Sequence, residues 1–296
     1  MNFFWAAVYS AYKVIGQTLP SGGIVTLRFG LAGLCLLFIW PWLPGVAPRG
    51  RDLLMTCLMG LTVFVVGQRL QVYGNELGRA GDSSVLMGFE PLITSVAAGV
   101  FLREHIGPRR WAGFALGLGG VALLHGVWRP EFKWSGLGAS AIFVSSFVCE
   151  AAYSVMGKPI VGRASIMKTL TISLLLGTAA NLLIDGGRTM AAVRTLSAQA
   201  WFLLVALAVV CTVIGYSIWF LVIRECPVNV AALTVFSQAI FGVAIAAAWL
   251  HEELNLGQLF GCMTIGAALV LGLSRQIKQD FRPTTRIETR IPPSNT

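Results

Sequence analysis

Four charged side chains set well inside long apolar runs of this chain are the candidates for chemistry: Arg28, Arg69, Glu90 and Glu150. A charge held in an apolar medium is expensive, so it is retained where it pairs, binds or carries a proton. Arg28, Arg69 and Glu90 together carry one net positive charge, which suits a ligand with a carboxylate. Glu90 is also a candidate proton carrier, because burial favours the neutral acid and a nearby guanidinium favours the carboxylate. The competing reading is an Arg69–Glu90 ion pair that only locks two helices. Glu150 is a second coupling candidate, or else a packing residue. Pro91 follows Glu90 and cannot donate a backbone hydrogen bond, so a kink and a free carbonyl are expected one turn from the acid. Gln71, Tyr9, Tyr153, Trp219 and Gln238 add polar or amphipathic groups in other runs. Where no water is present, such groups are expected to turn inward toward partners. Together these residues form the predicted substrate-binding set, with Glu90 and Glu150 as its coupling candidates.

The composition says what medium surrounds them. Of 296 residues, 56% are hydrophobic and 12% charged, against about 25% charged in soluble domains. Mean hydropathy is +0.74. A single soluble core cannot hide so much apolar surface, which leaves lipid. A hydrocarbon layer ~30 Å thick takes about 20 helical residues per crossing. Apolar runs fall at 3–15, 22–40, 53–73, 83–102, 111–125, 134–155, 166–184, 201–223, 228–250 and 259–273. They are continuous rather than alternating, which argues against a β-barrel. The expected fold is all-α, with ten transmembrane helices.

Charge sets the orientation. With the N-terminus inside, Arg49, Arg51, Arg103, Arg109, Arg110, Lys158, Arg163, Lys168, Arg224 and the basic tail fall on the cytoplasmic side. The opposite side carries Lys13, Arg79, Arg129, Lys133, Arg188 and Arg194. The positive-inside rule therefore puts both termini in the cytoplasm. The net charge of +9 is spread over many loops and reads as a topology signal, not as nucleic-acid binding. At ~1.5 Å per residue, Arg28, Arg69 and Glu90 lie ~8–12 Å below the outer surface and share one layer. Glu150 is expected nearer the cytoplasmic end of the sixth run. The six cysteines read as small hydrophobes, and no signal peptide is expected at the N-terminus.

The chain also repeats itself. Displaced by 148 residues, Leu102 and Glu104 fall on Leu250 and Glu252, Gly113 falls on Gly261, and Glu90 falls on Gln238. Earlier in each half the offset is 144, with Ala7, Val8, Tyr9 and Ser10 on Ala151, Ala152, Tyr153 and Ser154. Five helices per half is an odd number, so the second half enters the membrane from the opposite side. Inverted repeats of this kind build a site near the midplane and permit alternating access. The first run is short, ~22 Å as a helix; a late start with basic residues preceding it is the expectation, with a trimmed chain or a helix tilted into a thinned membrane as alternatives. Gly113 with Gly117, and Gly257 with Gly261, are spaced for close helix packing, within the chain or across a dimer.

The run from Gly81 to Glu90 and Pro91, then Leu102, Glu104, Gly113 and Gly117, resembles the EamA family of the drug/metabolite transporter superfamily, as does the second copy from Ala231 through Glu252 to Gly261. Thr26, Leu27, Arg28 and Phe29 resemble that family's arginine motif in the second helix. The resemblance implies a ten-helix inverted-repeat exporter of small metabolites, amino acids or drugs. Its halves would be an EamA-type repeat at 1–128 and another at 129–274, followed by a cytoplasmic polar tail at 275–296. Gln238 and Ala239 stand where the first half has Glu90 and Pro91.

No nucleotide-binding loop, zinc-hydrolase or nucleophile-elbow motif occurs. The expected protein is therefore a secondary transporter of the inner (cell) membrane with no catalytic residues, cofactor or metal. Its partners would be a small-molecule substrate and the bilayer, with proton coupling as one option and a monomeric or weakly dimeric state. A facilitator or flippase of lipid-linked carriers is the alternative, and a membrane-embedded transferase a third. A reporter fused at Thr285 should be active inside the cell; activity only in the periplasm would overturn the orientation.

Overall fold

The computed structural model describes residues 1–77, 86–127, 129–130, 137–250 and 255–280. Residues 81–85 of the first motif, Arg79, Trp128, Lys133, Trp134, His251, Glu252 and the tail from 281 onward lie outside the described residues, as do the side chains of Tyr9 and Lys13.

The described residues form helices joined by short loops, and no strand occurs among them. The first half holds α1 (Asn2–Ala6), α2 (Val8–Ile15), α3 (Ser21–Phe38), α4 (Arg51–Leu61), α5 (Gln68–Leu77), α6 (Glu90–Phe101) and α7 (Pro108–His125). The second holds α8 (Leu137–Ile160), α9 (Ile166–Val193), α10 (Ala198–Ala206), α11 (Gly215–Glu225), α12 (Val228–Leu233), α13 (Ser237–Leu250) and α14 (Leu256–Asp280). Among the described residues, seven helical stretches are long and apolar enough to cross a membrane, and Met87–Phe101 is a shorter apolar one. The first expected crossing is two short helices that meet at Ala7.

Local chemistry sets the boundaries. Pro108 opens α7, where a missing N–H costs nothing, and Gly126 closes it in the left-handed conformation at φ +65°. Ser197 caps α10 by accepting from the Ala200 N–H at 3.2 Å. After α6, Arg103 takes φ +56°. The turn aims Glu104 at the start of α12, where its carboxylate accepts from the backbone of Val228 (2.8 Å) and Asn229 (2.9 Å). An anion at a helix N-terminus satisfies orphan donors and the helix dipole together.

Two interruptions recur in both halves. The helix from α4 to α5 widens to π winding over Thr62–Gly67, and that from α10 to α11 does so over Leu207–Ile214. A 3₁₀ turn, Met87–Phe89, precedes α6, and another, Thr234–Phe236, precedes α13. The kink and free carbonyl expected at Pro91 are corrected: the proline lies in the first turn of α6, where its missing N–H costs no helical bond, and the Met87 carbonyl accepts the Glu90 N–H. α9 bends at Asp185 (φ −144°, ψ 20°), one residue past the end of the seventh apolar run.

The two largest helix contacts pair α7 with α14 and α3 with α9. The expected small-residue faces meet in the first of these. A Cβ on Gly261 would lie 2.6–2.7 Å from the Leu124 backbone, and one on Gly120 would lie 2.7 Å from Ile265. The glycines therefore serve packing within the chain. Backbone cannot yield as a flexible side chain can, so Gly261→Val should cost about 1–3 kcal/mol and lower the melting temperature of the purified protein. Gly119→Ala, with no atom within 4 Å of the new methyl, should leave it unchanged.

Candidate functional site

A central cavity of about 60 Å³ is enclosed by seven of the apolar runs. Its walls include Arg28, Gln68, Gln71, Glu90, Glu150, Tyr153, Trp219 and Gln238, with Trp5, Thr94, Ser154 and Tyr216. The fold thus gathers Arg28, Glu90, Gln71, Tyr153, Trp219, Gln238 and Glu150 around one space. The side chain of Tyr9 lies outside the described residues.

Arg69 is not in the lining. Its guanidinium donates to Asn181 Oδ1 at 2.6 Å and pairs with Asp185 Oδ2 at 2.8 Å. The expected Arg69–Glu90 alternative is therefore corrected: the acid that holds Arg69 is Asp185. The reason is helical geometry. Gln68 and Gln71, three apart, share one face of α5, whereas Arg69 is rotated ~100° from Gln68 and meets α9. Asp185 escaped notice because it lies just beyond an apolar run, where an acid reads as loop.

Glu150 also departs from expectation. It shares the cavity with Glu90 and Arg28 rather than occupying a separate layer. The helix around it runs from Leu137 to Ile160, five residues further than its apolar run, because Gly157, Lys158 and Pro159 continue the helical winding. This brings Glu150 near the middle of its helix. With one arginine and two carboxylates, the ionised site carries −1, not the +1 expected when Arg69 was counted.

The buried charges are joined. Arg28, 3% exposed, donates from Nε to Thr212 Oγ1 at 2.8 Å and from Nη1 to the Tyr12 hydroxyl. Tyr12 donates to Gln68 Oε1 at 3.4 Å, and Gln68 Nε2 donates to Glu150 Oε1 at 2.8 Å. Each member donates to the next, so the chain runs in one sense from cation to anion. It crosses from α3 through α2 and α5 to α8. Tyr12 and Gln68 were missed in the sequence because neither is charged, and only their positions reveal the link. Arg28 also lies over the Phe29 ring at 5.0 Å, a cation–π contact.

The π stretches serve the same region. Wider winding leaves carbonyls without a helical partner. The Phe64 carbonyl accepts from Asn181 Nδ2 at 2.8 Å, and the Cys211 carbonyl accepts from Trp5 Nε1 at 2.8 Å. Aromatic rings complete the wall: Trp5 lies 5.6 Å from Tyr216 and 6.1 Å from Trp219, and Tyr153 lies 5.5 Å from Tyr216. Trp219 Nε1 donates to Ser154 Oγ at 3.2 Å. Among the described residues, the buried Tyr153 hydroxyl has no hydrogen-bond partner, and Glu90 has no arginine or lysine nitrogen within ion-pair distance.

Comparison with known proteins places the molecule. Residues 1–126 and 137–273 each match the EamA-like transporter family. The chain belongs to that family, and it is a multi-pass membrane protein of the transporter kind. Among its relatives is a probable terminal-alkyne amino-acid exporter of Streptantibioticus cattleyicolor, 23% identical over 84% of this chain and 82% of the relative. Another is a riboflavin transporter of Rhizobium johnstonii, 25% identical over 90% of this chain and 85% of that one. A solved crystal structure superposes with a TM-score of 0.74 over 94% of this chain and 96% of its own, at 15% identity, and so shares the fold.

If the chain from Arg28 to Glu150 acts as one unit, its middle members are coupled. Tyr12→Phe and Gln68→Met should each destabilise the purified protein. The double variant should lose about 1 kcal/mol less than the two single losses summed, as read from denaturant unfolding. Additive losses would show that the two hydrogen bonds are independent.

Proposed function

We propose that this chain is a secondary exporter of small metabolites, amino acids or related compounds foremost, working by alternating access. In this reading ten helices cross the inner membrane as two inverted five-helix halves, 1–128 and 129–274, with both termini in the cytoplasm. The observation that carries it is the central cavity, where Arg28 and Glu90 of the first half meet Glu150 of the second.

Several features support the reading. The Arg28–Tyr12–Gln68–Glu150 chain balances one acid against the arginine. Glu90 is then the carboxylate free to take a proton or a substrate cation. The Tyr153 hydroxyl and the Trp5 and Trp219 rings offer a polar tip and flat apolar walls to a bound solute. The cavity, at about 60 Å³, has room for a few waters, whereas ligand pockets run from roughly 300 Å³. Substrate must therefore enter by a widening of the site, as alternating access requires. The interrupted helices around Glu90 and Thr212 are suited to hinge there. The names of the two relatives, an amino-acid exporter and a riboflavin transporter, favour small organic solutes. Arg69, held by Asp185 and Asn181, is assigned to holding α5 against α9.

The test combines ligand discovery with one substitution. Amino acids, nucleosides and cationic drugs are screened for stabilisation of the purified protein, since a ligand that binds only the folded state raises its melting temperature. Flux of the best ligand is then followed in proteoliposomes from mildly acidic to mildly alkaline pH. Glu90→Gln should fold normally yet lose the pH dependence of flux. A variant with wild-type pH dependence would remove Glu90 from the coupling step.

A further inference from the structure

A second cleft, of about 460 Å³, opens at one end of the bundle, away from the central cavity. Its walls are Arg49, Arg51, Asp52 and Arg163, and its floor is Met55, Met156, Pro159 and Ile160. The basic residues come from the turn before α4, from its first residue, and from the turn after α8. These are loops that the charge distribution assigns to the cytoplasmic face. Arg163 pairs with Asp52 at 2.7 Å. Arg49 and Arg51 are exposed, and neither side chain takes part in an ion pair among the described residues. The cleft thus holds two more cations than anions, above an apolar floor.

From this we propose that the cleft binds an anionic phospholipid of the cytoplasmic leaflet. The phosphodiester lies between Arg49 and Arg51, and an acyl chain lies along Met55, Met156 and Pro159. Guanidinium forks match phosphate oxygens bidentately. A basic pocket between helices at the cytoplasmic interface has the chemistry of a lipid head-group site. The apolar floor is what separates a lipid from a free anion, which would need none. The neighbouring surface continues the path, since Leu54 and Leu58 of α4 are 57% and 41% exposed. Asp52 tunes the site by occupying Arg163, leaving Arg49 and Arg51 as the head-group ligands. The inference rests on the cytoplasmic orientation of the proposed function but not on the transport step, because no residue of the central cavity takes part.

The experiment uses the full chain in nanodiscs of phosphatidylcholine, with or without phosphatidylglycerol, and measures lipid retained on the released protein by native mass spectrometry. The wild type should retain phosphatidylglycerol preferentially, and added salt should weaken the preference. Each arginine near such a head group is worth about fivefold in affinity, so Arg49→Ala with Arg51→Ala should lower the preference about 25-fold. Melting in pure phosphatidylcholine should be unchanged in that variant, since neither side chain makes a hydrogen bond or ion pair among the described residues. Should the double variant not fold, Arg51→Gln alone is read the same way, with about a fivefold loss. Equal preference in wild type and variant would overturn the proposal. So would displacement of the lipid by inorganic phosphate at matching concentration, which would identify a free-anion site.

Discussion

The arrangement turns on one requirement: a guanidinium buried in an apolar bundle must have its hydrogen bonds made and its charge met. Arg28 meets it by reaching Thr212 and Tyr12 directly and Glu150 through Gln68. No single helix can supply those groups. Tyr12 is on α2, Gln68 on α5, Glu150 on α8 and Thr212 on the π stretch between α10 and α11. Satisfying one side chain therefore fixes the relative positions of four other segments. Breaking a buried charge network by removing one partner costs about 3–5 kcal/mol, large beside the ~5–15 kcal/mol of net stability of a typical protein. The aromatic cluster of Phe29, Phe64, Tyr153, Tyr216 and Phe220 packs around this chain and excludes what would otherwise screen it.

The irregular windings follow from the same lack of solvent. A π stretch or a 3₁₀ turn frees a carbonyl that must find a donor. Asn181 and Trp5 supply donors to the two π stretches, so each irregularity also ties its helix to another. The interruptions recur in corresponding parts of the two halves, and two separate segments match the same family. Regular helices fill the rest, where glycines such as Gly120 and Gly261 let α7 and α14 approach at backbone distance. The rigid pairs and the interrupted helices thus divide the molecule into parts that hold and parts able to bend, with the cavity among the latter.

Much of the site was legible because charge in an apolar run is conspicuous. Arg28, Glu90 and Glu150 stood out for that reason, and Gln71, Tyr153, Trp219 and Gln238 followed from the demand that polar groups turn inward. Gln68 did not stand out beside Gln71, nor did Tyr12 beside Tyr9, because neutral residues show their role only through their neighbours. Asp185 was hidden at the edge of a run. The placement of Glu150 failed because depth was counted from where apolarity ends, whereas its helix continues through Lys158. That lysine is held by the carbonyls of Ile223 and Cys226, so a polar residue there ends the apolar run without ending the helix.

What the sequence determined by itself was the medium, the helical class and the family, since each is written in composition and spacing along the chain. Apolar runs of membrane length leave helix as the structure that satisfies its own backbone, and the internal offset marks two halves. Tertiary structure alone decided partnership. Arg69 and Gln68 are adjacent in the chain and equally deep, yet about 100° of helical rotation sends one to Asp185 and the other to Glu150. An ion pair depends on rotation and on which helix lies opposite, and neither quantity is encoded locally. The charge of the cavity follows from that rotation, which removes Arg69, and from the length of the helix that carries Glu150 into the lining.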